Sequence, residues 1–134
     1  MKRIVHTDGG ARGNPGPAAI GVVIEEGNKT LAAFGKTIGE ATNNIAEYTA
    51  VIEALMWLTQ HPADYIQFFL DSTLVVNQLN GLFKVKEPHL RELLMKVRTL
   101  EQEVGGTITY TAVRRELNRR ADFLVNDALD TKEQ

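Results

Sequence analysis

The sequence predicts an α/β fold: a mixed sheet of five strands, three antiparallel and then parallel ones, flanked by helices. Three observations predict it. Gly27-Asn28 joins two strand-like runs and is a strong hairpin signal, because both residue types tolerate positive φ. Ile45, Tyr48, Ile52 and Leu55 recur at spacings of three and four, the stripe of an amphipathic helix. In the second half of the chain strand-like runs alternate with helical ones, and a meander followed by such alternation indicates a mixed sheet with helices on its faces.

Taken in order, Arg3 to Thr7 is a short β-branched run that ends at Asp8-Gly9-Gly10-Ala11-Arg12-Gly13-Asn14-Pro15-Gly16-Pro17, a dense cluster of turn formers. It reads as a strand followed by a tight loop. Ala18 to Glu26 and Lys29 to Ile38 are the next two strands, joined by the hairpin. Thr42-Asn43-Asn44 offers caps for a helix running to about Gln60, which His61-Pro62 stops. Tyr65 to Leu70 is a compact strand; Asp71-Ser72 opens a short helix, Thr73 to Asn80, that Gly81 closes. A further helix spans about Glu87 to Val104, and Gly105-Gly106 breaks the chain before the alternating strand Thr107 to Val113. Asn118 is placed to cap a last helix to about Asp130, and Thr131 to Gln134 should fray. The order is βββαβααβα.

At 134 residues the chain fits one domain, expected to span 1–134, and 43% hydrophobic with 24% charged residues excludes the disordered and fibrous classes. Without cysteine there are no disulfides and no thiolate metal sites, so any metal must bind oxygen or imidazole. The N-terminus meets an acid and glycines before a signal-peptide core could form, and no stretch approaches the ~20 apolar residues of a membrane span. A cytoplasmic protein is expected. The formal charge of -2 does not exclude nucleic acid, since binding needs a basic patch rather than a basic whole.

The glycines at 9, 10, 13 and 16 fit neither dinucleotide nor P-loop spacing, and His6, His61 and His89 lack metal-ligand spacing, which leaves them structural or surface roles. What remains is a set of acids at element ends. Asp8 and Asp71 close the first and fourth strands, where open mixed sheets present ligand sites, and they meet if those strands are neighbours. Glu47 and Asp122 fall in the first turns of the two helices that follow Asn43-Asn44 and Asn118. Each acid has an ordinary reading: Asp8 as a turn start, Asp71 as an N-cap, Glu47 and Asp122 as acids favoured by a helix dipole.

Read together, the local sequences resemble type 1 ribonucleases H along nearly the whole chain. Thr7-Asp8-Gly9-Gly10 running on through Gly13-Asn14-Pro15-Gly16 is similar to that family's opening motif. Thr42-Asn43-Asn44-Ile45-Ala46-Glu47 resembles its T-N-N-x-x-E, Leu70-Asp71-Ser72 its third acidic motif, and Asn118-Arg119-Arg120-Ala121-Asp122 its N-x-x-A-D. The resemblance implies a ribonuclease H-like fold that cuts the RNA strand of an RNA/DNA hybrid endonucleolytically, leaving 3′-hydroxyl and 5′-phosphate ends. It maps the catalytic and metal-binding carboxylates onto Asp8, Glu47, Asp71 and Asp122, while Asp127 and Asp130 match nothing and should be solvated. By the same resemblance Asp8 would bridge two ions, Glu47 and Asp71 would complete the shared site, and Asp122 would hold the ion that activates water. Such oxygen ligands suit Mg²⁺ or Mn²⁺, and two ions about 3.5 to 4 Å apart serve an in-line displacement at phosphorus.

Substrate discrimination should rest on the 2′-hydroxyl and duplex shape. The Gly9-Gly10 backbone, Asn14, Asn43 and Asn44 are candidates to read sugars, and Thr42 and Thr73 to meet phosphates. Two departures stand out. Where the well-known members carry a loop histidine before the last helix, Val113-Arg114-Arg115-Glu116-Leu117-Asn118 has none, and Arg114 or Arg115 is the nearest charged substitute. In place of a long basic protrusion there is only Leu82 to His89, with Phe83, Lys84 and Lys86. No preceding hybrid-binding domain and no obligate partner are expected, and a monomer is. The rivals are a related carboxylate nuclease acting on DNA and a nucleic-acid-binding module without catalysis.

Overall fold

A computed structural model describes residues 1–133, with Gln134 outside the described residues. Strands β1 (Lys2–Ala11), β2 (Gly16–Glu26), β3 (Lys29–Ala41), β4 (Tyr65–Leu70) and β5 (Thr107–Ala112) form one sheet in the order β3-β2-β1-β4-β5. The first three pair antiparallel, and β4 and β5 run parallel to β1. Helices α1 (Asn43–Thr59), α2 (Thr73–Leu79), α3 (Pro88–Val104) and α4 (Arg119–Glu133) complete the fold in the expected order.

The sheet is covered on both faces, and β2 records this by being buried along nearly its whole length. Its Ile20, Val22 and Ile24 join Tyr48, Leu55 and Leu58 of α1 in the main core, on the side where α3 adds Leu90, Val97 and Leu100. On the other face Ala19 packs against Val125 and Leu129 of α4. That close approach depends on Gly21 and Gly35, because a Cβ at either would run into the carbonyls of Ala121 and Leu124 in α4.

Several details differ from expectation. The first strand continues past Asp8 through Gly9 and Gly10, because β2 pairs with it as far as Ala11↔Ala18. In the Gly27-Asn28 hairpin only Gly27 takes positive φ, +59°, so the turn follows the II′ rather than the I′ pattern. A short 3-10 turn at Arg115–Leu117 precedes α4, which runs to Glu133, so that Gln134 of the expected tail lies outside the described residues. Asp130 is not simply solvated, since Arg12 Nη2 lies 2.6 Å from its Oδ1. Among the described residues no helix is long and apolar enough to cross a membrane.

Candidate active site

The parallel register of β1 and β4 runs from Lys2↔Tyr65 to His6↔Phe69. Continued by two places it sets Asp8 level with Asp71, just past the last paired residues, so the strand pairing itself brings the two acids together. Ser72, not Asp71, caps α2: its hydroxyl accepts from Val75 N at 3.2 Å and leaves the Asp71 carboxylate uncommitted to the helix. Glu47 reaches the same point from the second turn of α1. There the Gly9 N–H donates to Glu47 Oε1 at 2.7 Å, and the absence of a side chain on Gly9 lets β1 lie against the Ala46 backbone.

One carboxylate oxygen each of Asp8, Glu47 and Asp71 lies within 4.8 Å of the others. Asp122, in the first turn of α4, lines the same cleft and faces Asp8 closely enough for its charge to raise that acid's pKa. The four predicted acids therefore converge from four segments at one end of the sheet. The cleft, of about 490 Å³, is also lined by Gly9, Gly10, Asn43, Asn44 and Arg115.

Crowding is costly without a counter-charge. Burial raises Asp8 to about 8, helped by the charges of Asp71 and Asp122 and only partly opposed by the Gly9 N–H. Glu47 is raised for the same leading reason, with Asp8 and Asp71 adding repulsion. Asp71 is raised by burial too; Arg115 and the Asn118 amide pull it back, and Asp122 pushes it up. Arg115 sits 3.5 Å from Asp122 Oδ1.

The remaining candidates divide. Asn43 Oδ1 accepts from Ala11 N at 2.9 Å, and Asn14 Oδ1 accepts from Asn43 N at 3.0 Å, so the two asparagines tie the glycine-rich loop to the start of α1. Thr42 is the N-cap of α1, its Oγ1 accepting from Ile45 N. Asn14, Thr42 and Thr73 do not line the cleft, and Arg114, largely exposed, faces Glu116 at 3.8 Å. Asn118 is no ordinary cap: its side chain is buried and donates to the Thr7 carbonyl at 2.8 Å. Val125, Asn126 and Leu129, which the sequence reading passed over, line the cleft with Asp122, and their spacing of three, four and seven from that acid was the available signal. Two of the histidines are held by ring stacking, His6 on Phe69 and His61 on Trp57, and neither lines the cleft.

Residues 6–128 match a family model described as reverse transcriptase-like. The ribonuclease H of Saccharopolyspora erythraea is 38% identical over 138 residues, spanning 90% of this chain and 85% of that protein. The bifunctional protein Rv2228c of Mycobacterium tuberculosis is 40% identical over 136 residues, all of this chain but only 37% of that protein. Among solved structures, LC11-RNase H1 in complex with an RNA/DNA hybrid superposes with a TM-score of 0.93 at 43% identity, covering 98% of this chain and 99% of that one.

Proposed function

Because the chain belongs to the type 1 ribonuclease H family, we propose that it hydrolyses the RNA strand of RNA/DNA hybrids endonucleolytically, with Asp8, Glu47, Asp71 and Asp122 as the catalytic, metal-holding carboxylates. The observation that carries this reading is the convergence of four acids from β1, α1, the end of β4 and α4, three of them with raised pKa. A protein gains nothing in stability from such crowding. The donor set, oxygens only and with negative charge in excess, fits a hard divalent ion, Mg²⁺ or Mn²⁺, and two ions per site is the arrangement the family implies. Bound there, divalent ions supply charge neutralisation at the phosphoryl oxygens and at the leaving alkoxide, and acidify a water.

The chain's own groups have separate tasks. Gly9 N–H orients Glu47, leaving its second oxygen for the cleft. Arg115, next to Asp71 and Asp122, supplies positive charge where the related enzymes use a loop histidine, and Arg114 does not share that role. The Gly9-Gly10 backbone, Asn43 and Asn44 face the substrate, while Asn14 and Thr42 act from behind by fixing the loop and the helix start. Thr73, exposed at the first position of α2 and outside the cleft, is the remaining candidate to meet a phosphate. Products with 3′-hydroxyl and 5′-phosphate ends follow when water attacks phosphorus opposite the P–O3′ bond: that bond breaks, the 3′-oxygen leaves and takes up a proton, and the phosphate stays on the 5′-oxygen of the next nucleotide.

A fluorescent RNA/DNA hybrid and a DNA duplex of the same sequence, each with Mg²⁺ and with excess chelator, test the reading. Cleavage of the RNA strand alone, only with Mg²⁺, is expected. Equal cutting of both duplexes would favour a DNA nuclease, and binding without cutting a non-catalytic module.

A further inference from the structure

We propose that His6 is a positioning residue for the carboxylate cluster, acting through the buried amide of Asn118; the inference rests on the assignment of the four acids as a metal site. Asn118 is 1% exposed and stands where three acid-bearing segments meet. Its Nδ2 donates at 2.8 Å to the carbonyl of Thr7, the residue before Asp8. The same amide lies near enough to Asp71 to favour that carboxylate's charged form. Its backbone carbonyl accepts from Asp122 N at 3.1 Å, in the first turn of α4. Its Oδ1 lies 3.0 Å from His6 Nδ1.

Only one orientation satisfies this amide. Turned over, its oxygen would face the Thr7 carbonyl and the Asp71 carboxylate, three acceptors with no hydrogen between them. With the NH₂ group toward those acceptors, Oδ1 must accept, so His6 Nδ1 carries the hydrogen and donates. His6 is itself held, half-buried on β1 and stacked on Phe69 with ring centroids 5.2 Å apart. Without that donor Oδ1 is a buried acceptor left unpaired, and the amide that ties Asp71 and the start of α4 to β1 loses its fixed orientation. Partners standing behind metal ligands in this way hold the ligands where the ion needs them.

The test compares His6→Phe, which keeps a ring on Phe69 but has no donor, with His6→Asn, whose Nδ2 lies as many bonds from Cα as the histidine Nδ1. Mn²⁺ binding to chelator-stripped protein is followed by electron paramagnetic resonance of the free ion, beside denaturant melts in chelator. His6→Phe should weaken Mn²⁺ binding about tenfold, and His6→Asn should recover most of it. A histidine that served only stability would move the melt and leave Mn²⁺ affinity unchanged, which overturns the inference, as would equal losses in both variants. Failure of the parent to bind Mn²⁺ overturns the metal-site assignment itself, and the two failures are thereby told apart. If His6→Phe does not fold, the ring ¹⁵N resonances of His6 in the parent decide: a hydrogen on Nδ1 supports the clamp, and a neutral ring with its hydrogen on Nε2 overturns it.

Discussion

Asp8 is paired on β1 with Gly21, buried, and faced by Asp71 and Asp122, so its negative charge is opposed from two sides. Its pKa rises from the ordinary 3.8 to about 8, which means the metal-free folded state holds this proton more tightly than the unfolded state does. The stability this proton confers is fully present below about pH 4 and is lost as pH climbs through 8. Asp8→Asn removes the penalty and the ligand together. In chelator the variant should be more stable than the parent near neutral pH, by about 1 kcal/mol or more. The gap should widen from pH 4 to 8, with cleavage abolished. Denaturant melts across that range check it, and a destabilised, active variant would return Asp8 to an ordinary turn role. The two arginines before α4 differ for an equally local reason: Arg115 touches Asp122 and draws Asp71 down, whereas Arg114 faces Glu116. Arg115→Ala should therefore lower kcat about tenfold or more with little change in KM, and Arg114→Ala should leave both near the parent values. Steady-state cleavage kinetics read the difference.

Elements put these residues in place, and glycine decides one placement outright. A Cβ on Gly9 would collide with the Ala46 backbone and come within 2.6 Å of Glu47 N, where no side chain can yield. Gly9→Ala must push β1 and α1 apart, costing about 1 to 3 kcal/mol and most of the activity, since the Glu47 carboxylate loses its N–H donor. At Gly10 the nearest atom to such a Cβ is Val125 Cγ1 at 3.7 Å, so Gly10→Ala should melt within a few degrees of the parent; paired thermal melts and hybrid cleavage separate the two. The same contrast marks what was legible in the sequence. All nine main elements and their order follow from periodicity, turn residues and caps, which are local signals. The run of β1 through Gly9-Gly10 was not legible, because the partner strand, not the local chain, holds it extended. Nor was the role of Asn118, whose side chain meets a carbonyl 111 positions away. The acids were individually indistinguishable from turn and cap residues. Their convergence is a property of the β1–β4 register and of the four motifs read together, not of any one position.

At the scale of the whole molecule, the cleft is where separately folded pieces of the chain meet. The acids reside on β1, α1, the end of β4 and α4, which cover both faces of the sheet, so charge repulsion there works against the docking of α1 and α4 on a common edge. A divalent ion bound by those acids reverses the sign of that interaction. The unfolded chain presents no such cluster, so ion binding adds to folding stability by mass action, about 2.7 kcal/mol when the free ion stands at a hundred times its dissociation constant. The parent should therefore melt at rising temperature as Mg²⁺ is added after chelation, with the rise saturating at the concentration that saturates activity. Generic ionic screening would give a different pattern: it would stabilise any crowded acid cluster and would be mimicked by Na⁺ at matched ionic strength. Asp8→Asn, which lacks a ligand, should lose most of the Mg²⁺ response while starting from equal or greater stability. Glu53→Gln, which removes an acid of α1 engaged by Lys36 at 2.7 Å and lying outside the cleft, should keep the full response. Thermal melts of the three proteins in Mg²⁺ and in matched NaCl decide it, and an equal response in all three would mean that the ion acts on the net charge of the molecule rather than at the carboxylate cluster.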